Sequence, residues 1–146
     1  MDTISALLVP MIAVIGSLIA YFQWNTNRKR LKHELFDRRY KQFEVIRDFL
    51  GSIMTCGKVT QEAEREYLIG TRGIRFIFDA EISEYVDKTI WHMAVHLQSL
   101  EAELEGVPVG EIRSKNVKEQ SHIKKKLHEE IKGLEAKFSK YLQLGH

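Results

Sequence analysis

His92 and His96, in the segment HMAVH, stand four residues apart. On a helix that spacing sets two imidazoles on one face, as zinc sites built on a helix require. Met93 occupies the position where a metalloprotease motif carries its general-base glutamate, and no cysteine or carboxylate is marked as a third ligand. Both histidines flank the apolar positions Ile90, Met93 and Leu97, so the sequence places them at a packing boundary and assigns the chain no metal and no cofactor. His122 and His128 are six apart and share no helical face.

A second constellation is cationic. Asp37, Arg38 and Arg39 interrupt an apolar helical pattern, and Arg72 and Arg75 flank a Phe-rich turn. Guanidinium groups gathered in this way can hold a phosphate or lipid headgroup in paired hydrogen bonds. They can equally form ion pairs at a helix join, with Asp37 or Glu81 as counter-charge, and the lack of a Gly-rich phosphate loop favours ion pairing. Lys124, Lys125 and Lys126 read as a solvated helix face, with Glu129 and Glu130 following at pairing distance. No nucleophile with an adjacent base is evident, so the chain is not read as an enzyme.

These side chains have to be positioned by something, and the dominant element lies ahead of them. Ile4 to Phe22 is nineteen residues without a charge. As a helix it reaches about 28 Å, close to the hydrocarbon thickness of a bilayer. Only Asp2 precedes the run, and Tyr21, Phe22 and Trp24 close it, unlike the basic start and small-residue exit of a cleaved signal peptide. Pro10 removes one backbone donor near its beginning. Seven basic residues, from Arg28, Lys29, Arg30 and Lys32 to Arg38, Arg39 and Lys41, follow the run against Glu34 and Asp37. Basic flanks stay cytoplasmic, so the expected topology is a single pass with the N-terminus outside.

Of 22 basic and 20 acidic residues, 7 and 3 fall within 1–41, leaving 15 and 17 for the remainder. The basic excess therefore belongs to the membrane edge, where Arg28, Lys29, Arg30 and Lys32 would face anionic lipid at about 1 kcal/mol each. The mildly acidic remainder carries no nucleic-acid recognition motif, so no nucleic-acid partner is expected. Cys56 is alone and forms no intrachain disulfide, as suits a reducing compartment. Small residues four apart, Ala13 with Ser17 and Gly16 with Ala20, would let two anchors touch and form a homo-oligomer.

Helical periodicity continues past the membrane run. Leu31, Leu35, Phe36 or Tyr40, Phe43, Ile46, Phe49 or Leu50, Ile53 and Met54 recur at helical spacing, mostly steps of three and four, predicting one helix from about Thr3 to Thr55, ended by Gly57. A break at Trp24 to Asn27 is the alternative, because Asn25, Thr26 and Asn27 are poor helix formers. Thr60 caps a short helix that Gly70 closes, and Thr71 caps a turn through Phe78, for which a strand is the alternative. Asp79 caps a helix with the stripe Ile82, Val86, Ile90, Met93, Leu97, Leu100 and Leu104. Beyond Gly106, Pro108 and Gly110, a last helix over about Glu111 to Leu142 turns Val117, Leu127, Leu134 and Phe138 inward.

The predicted fold is all-α. One N-terminal transmembrane helix, residues 1–27, continues into a cytoplasmic antiparallel helical bundle, residues 28–146. LFDRRYKQFE from Leu35, RFIFDAEISEYVD from Arg75 and GLEAKFSKYLQL from Gly133 together resemble a family of short bacterial and prophage proteins with one membrane helix. The resemblance implies a bacterial inner membrane and an all-helical cytoplasmic domain, and brings no catalytic residue. The expected role is a membrane-tethered interaction, scaffold or regulatory module for a protein partner, in envelope organisation or around phage. The alternatives are a membrane-bound enzyme or headgroup-binding protein using the arginines, and an oligomeric pore, for which the span offers only Ser5 and Ser17 as polar residues.

Overall fold

The chain is all-helical. The computed structural model describes the backbone of residues 2–143 and the side chains of residues 10–143. Helix α1 runs Asp2–Cys56, α2 Gln61–Thr71 and α3 Ile74–Ile77. Helix α4, Ala80–Glu84, passes without interruption through a π-helical segment, Tyr85–Trp91, into α5, His92–Glu103. Helix α6, Glu111–Phe138, ends in a 3-10 turn, Ser139–Tyr141.

Asn25, Thr26 and Asn27 do not interrupt α1, because cooperative propagation outweighs a few tenths of a kcal/mol of poor propensity per residue. It stops where Gly57 takes φ +73°, a left-handed conformation that closes the helix with a hydrogen bond from its N–H to the Ile53 carbonyl, 2.8 Å. Among the described residues no helix is long and apolar enough to cross a membrane. The run Ile4–Phe22 lies partly outside them, since the side chains of residues 4–9 are not described.

The core begins only at Phe43. Phe43, Ile46, Leu50 and Ile53 face the bundle, whereas Leu31 is 67% and Leu35 38% exposed. The expectation that Leu31 and Leu35 join the core is therefore corrected. Among the described residues no other helix packs at their level, and the stretch from residue 23 to 38 is a stalk about 24 Å long that meets the bundle at Arg39.

Helix α2 returns along α1. Its cap is as expected, with Thr60 Oγ1 accepting the Ala63 N–H at 3.2 Å, but its end is not. Gly70 lies inside α2, where an added Cβ would sit 2.7 Å from Val45 Cγ1. Its lack of a side chain serves helix contact rather than termination. Thr71 is the last helical residue, its hydroxyl donating to the Tyr67 carbonyl at 2.7 Å instead of capping the next turn.

The 80–103 helix departs from its expected stripe in the middle. Ile82, Val86, Ile90 and Ala94 are buried, followed by Leu97 and Leu100, so Ala94 takes the place expected of Met93. Three steps of four residues exceed the α-helical period by about 1.2 residues in total. A π turn holds about one residue more than an α turn and absorbs that excess, keeping both halves facing the core. Helix α6 closes the bundle with Ile123, Leu127, Leu134 and Phe138, and Phe138 packs against the rings of Phe43 and Phe78 at 5.5 and 5.2 Å.

Candidate functional site

The arginine cluster does not assemble in one place. Where α1 enters the bundle, Arg39 turns inward and donates from Nε to the Ile77 carbonyl at 3.2 Å, one of the acceptors left unpaired at the end of α3. Its guanidinium lies 5.9 Å from the Phe78 ring centroid and 5.5 Å from that of Tyr141, within cation–π range of both. Asp37 and Arg38 point to solvent on the stalk.

The same corner holds a latch that sequence reasoning missed. Asp79 Oδ1 accepts the Ile82 N–H at 3.1 Å, the expected cap. Its Oδ2 accepts the Tyr141 hydroxyl and the Lys140 ammonium, the latter at 3.2 Å. Lys140 also reaches Glu81 at 3.4 Å. The hydrogen bond from Tyr141, reinforced by the Ile82 amide and Lys140, holds the Asp79 carboxyl below its ordinary range. The partners are 61 and 62 residues from Asp79, a separation on which helical spacing is silent.

Arg72 and Arg75 stand on the other side of α3, on a groove of about 210 Å³ between α2, α3 and the π segment. Arg75 pairs with Asp87 at 3.5 Å, so the counter-charge is Asp87 and neither Asp37 nor Glu81. Beneath them the buried Tyr67 ring stacks on Trp91, with centroids 5.7 Å apart and planes at 12°. Its hydroxyl donates to the Val86 carbonyl at 2.9 Å, within the π segment. Burial pushes that phenol well above its ordinary range. Phe76 projects beside the groove and is 91% exposed.

The basic edge lies on the stalk. Arg28 stacks over Trp24, 4.8 Å from the ring centroid, and Arg30 pairs with Glu34 at 3.2 Å. Lys29 and Lys32 are exposed. His92 and His96 are also exposed, not set at a packing boundary, and the described residues contain no group of three or more potential metal ligands. The expected pairing of Lys124 to Lys126 with Glu129 and Glu130 is replaced. Glu129 binds Lys132 at 3.0 Å, and Glu130 accepts the Tyr85 hydroxyl at 2.7 Å with Lys137 at 3.5 Å.

Compared with protein-family models, curated proteins and solved structures, the chain finds no match.

Proposed function

We propose that the chain is a membrane-tethered helical interaction module, anchored by the apolar start of α1, with the bundle held off the cytoplasmic face of a bacterial inner membrane. The observation that carries this reading is the continuity of α1. One helix leads from an apolar segment with no partner helix among the described residues, through a basic stalk, into the core. Met11, Ile12, Val14 and Phe22 are each 60–64% exposed and lie on several faces of the helix. A helix apolar all round belongs in a core or a membrane, and the bundle does not extend to this one. Trp24 with Arg28 stacked on it suits the headgroup layer, where amphipathic rings are favoured. Arg28, Lys29, Arg30 and Lys32 then face anionic lipid.

The role is binding, not catalysis, and the partner is a protein, with no nucleic acid involved. The arginines that would hold a phosphate are divided between two corners, and two of them are engaged by Ile77 and Asp87. A homo-oligomer through Ala13, Gly16, Ser17 and Ala20 is compatible with this reading. The likeness to short bacterial and prophage membrane proteins points the same way. A headgroup site is the second reading, on the observation that Arg72 stands at the groove without an ion-pair partner among the described residues.

The deciding experiment joins membrane extraction to topology. The full chain is expected to resist carbonate extraction, and a reporter fused after His146 is expected to read cytoplasmic. Release by carbonate, or a periplasmic reporter, would refute the anchor. Inserting a long Gly/Ser segment at Asn27 should leave membrane retention intact while freeing the bundle's orientation, read by distance measurements from the bilayer.

A further inference from the structure

The end of the molecule farthest from α1's apolar segment is a ledge two helices thick. Cys56, the last residue of α1, lies at the level of Lys124, whose ammonium sits beside Gly57. Helix α6 starts thirteen residues earlier, at Glu111, so the α5–α6 hairpin overhangs the end of α1 by up to about 20 Å, with α2 reaching α5 at Gln98 through Glu64. No side chain of α6 before Asn116 is buried. Val109 is 95%, Ile112 76% and Val117 49% exposed, although the α6 periodicity calls for Val117 to point inward. A third helix covers such positions lower in the bundle, and among the described residues none does here.

Between the two helices lies a groove of about 370 Å³, with Val107 and Ile112 on its apolar wall and Glu103, Lys115 and Glu119 along its rim; the two cations at hand are engaged, Lys115 by Glu111 and Arg113 by the Val107 carbonyl at 2.9 Å. Its floor is fixed by Asn116, which is 9% exposed and donates from Nδ2 to the Leu100 carbonyl at 2.9 Å and to Glu103 at 3.3 Å. Gln120 donates to Asn116 Oδ1 at 2.9 Å and locks the amide in place. From 101 to 111 the chain carries Glu101, Glu103, Glu105 and Glu111 and no Lys or Arg. Of these, Glu111 pairs with Lys115 at 2.9 Å and Glu101 lies near Lys58 and Lys124, while Glu103 and Glu105, like Glu119 on α6, have no basic ion-pair partner among the described residues. The C-terminus of α5 adds the negative end of its dipole at the same place.

We propose that this groove docks a basic amphipathic helix of a protein partner, whose apolar side covers Val107 and Ile112 and whose cationic side meets Glu103, Glu105 and Glu119. Such a helix supplies the missing third layer, and its charge complements the rim. The stalk of a second copy is basic too, but in a shared membrane it lies at the opposite end of the molecule and does not reach the ledge. The inference deepens the proposed interaction role by naming the partner's chemistry. It rests on that reading only for the accessibility of this end, and the extraction experiment reports on the anchor alone.

The test uses the full chain in nanodiscs of phosphatidylcholine, a lipid without net charge, so that a basic probe gains no electrostatic attraction to the bilayer, and binding to empty nanodiscs is subtracted. The probe is an amphipathic Leu/Lys peptide of about four helical turns, compared with a Leu/Glu peptide of the same pattern and a scrambled Leu/Lys peptide. The Leu/Lys helix is expected to bind best, to shift the amide resonances of residues 103–119, and to weaken as salt is raised. Glu103→Lys with Glu119→Lys, and separately Ile112→Asp, should each weaken it by about ten-fold or more. Glu62→Lys with Glu66→Lys, on exposed α2 positions, should leave it unchanged. These side chains lie at the surface, and unchanged melting confirms the fold of each variant. Equal binding of the scrambled or Leu/Glu peptide, resonance shifts centred elsewhere, or undiminished affinity after charge reversal would overturn the proposal. So would self-association through the ledge abolished by Ile112→Asp, which would make a second copy the occupant.

Discussion

Gly70→Ala is a substitution whose sign the structure reverses. In an open helical position, replacing Gly by Ala gains about 1 kcal/mol. Gly51, in α1, is such a position, with no heavy atom within 4 Å of an added Cβ. At Gly70 the same methyl would meet Val45 Cγ1 and Cγ2 at 2.7 and 2.8 Å and its Cβ at 3.2 Å. Carbon atoms in contact lie about 3.5–4.0 Å apart, so α2 must lift from α1 by most of an ångström or strain Val45. Rotating the β-branched Val45 about χ1 exchanges one methyl for hydrogen and leaves the other in the way. Overpacking of this kind costs about 1–3 kcal/mol, and after the propensity gain the net is a loss of about 1 kcal/mol. For a bundle of roughly 100 residues that lowers the melting temperature by about 4 °C or slightly more, while Gly51→Ala raises it by a similar amount. Thermal unfolding of the full chain in micelles, followed by circular dichroism, measures both. Combining Gly70→Ala with Val45→Ala should recover about 1 kcal/mol beyond the sum of the single effects. A stabilised Gly70→Ala, or strict additivity in the cycle, would refute the close approach of α1 and α2.

Arg38→Ala should change stability by less than about 0.5 kcal/mol, whereas Arg39→Ala should cost about 1–2 kcal/mol through the Ile77 carbonyl and the two rings, both read by urea unfolding. Tyr67→Phe removes a buried hydrogen bond to Val86 and should cost about 1 kcal/mol by the same measurement. Asp79 has a lowered carboxyl pKa, so its ionised form stabilises the fold above the ordinary carboxylate range, near pH 4. That contribution is lost as pH falls through the lower folded value, and Asp79→Asn, which still caps, should flatten the acid limb of the stability profile. Changing His92 and His96 together to Ala should leave melting unchanged with and without zinc, because both rings are exposed. A zinc-dependent rise in melting abolished by the double change would contradict this.

Sequence legibility followed the range of the interactions. Thr60 and Asp79 as caps and Gly57 as terminator depend on three or four neighbouring residues, and each stands as read. Gly70 carries the same local signal as Gly57, and only the position of Val45, 25 residues earlier, separates a packing glycine from a terminating one. The arginines misled for a similar reason. Arg38 and Arg39 are adjacent in sequence, yet successive helical residues point about 100° apart, so one lies in solvent and the other between two rings. The Tyr141–Asp79 and Tyr85–Glu130 contacts join distant segments and had no spacing to announce them. The π segment did leave a trace, because choosing Ala94 over Met93 makes three successive steps of four.

That segment has a further consequence for how related chains should align. If Tyr85–Trp91 holds one residue more than an α-helix needs, removing Asp87 or Lys88, both exposed, should let it relax to regular α-helix. Ile82 and Val86 on one side and Leu97 and Leu100 on the other would keep their faces. The same deletion within His92–Glu103 would rotate everything beyond it by about 100° and expose the core stripe. Length variation in this helix is therefore confined to one window, and a single-residue gap falling there would mark an isostructural relative, whereas a gap elsewhere along it would mark a different packing.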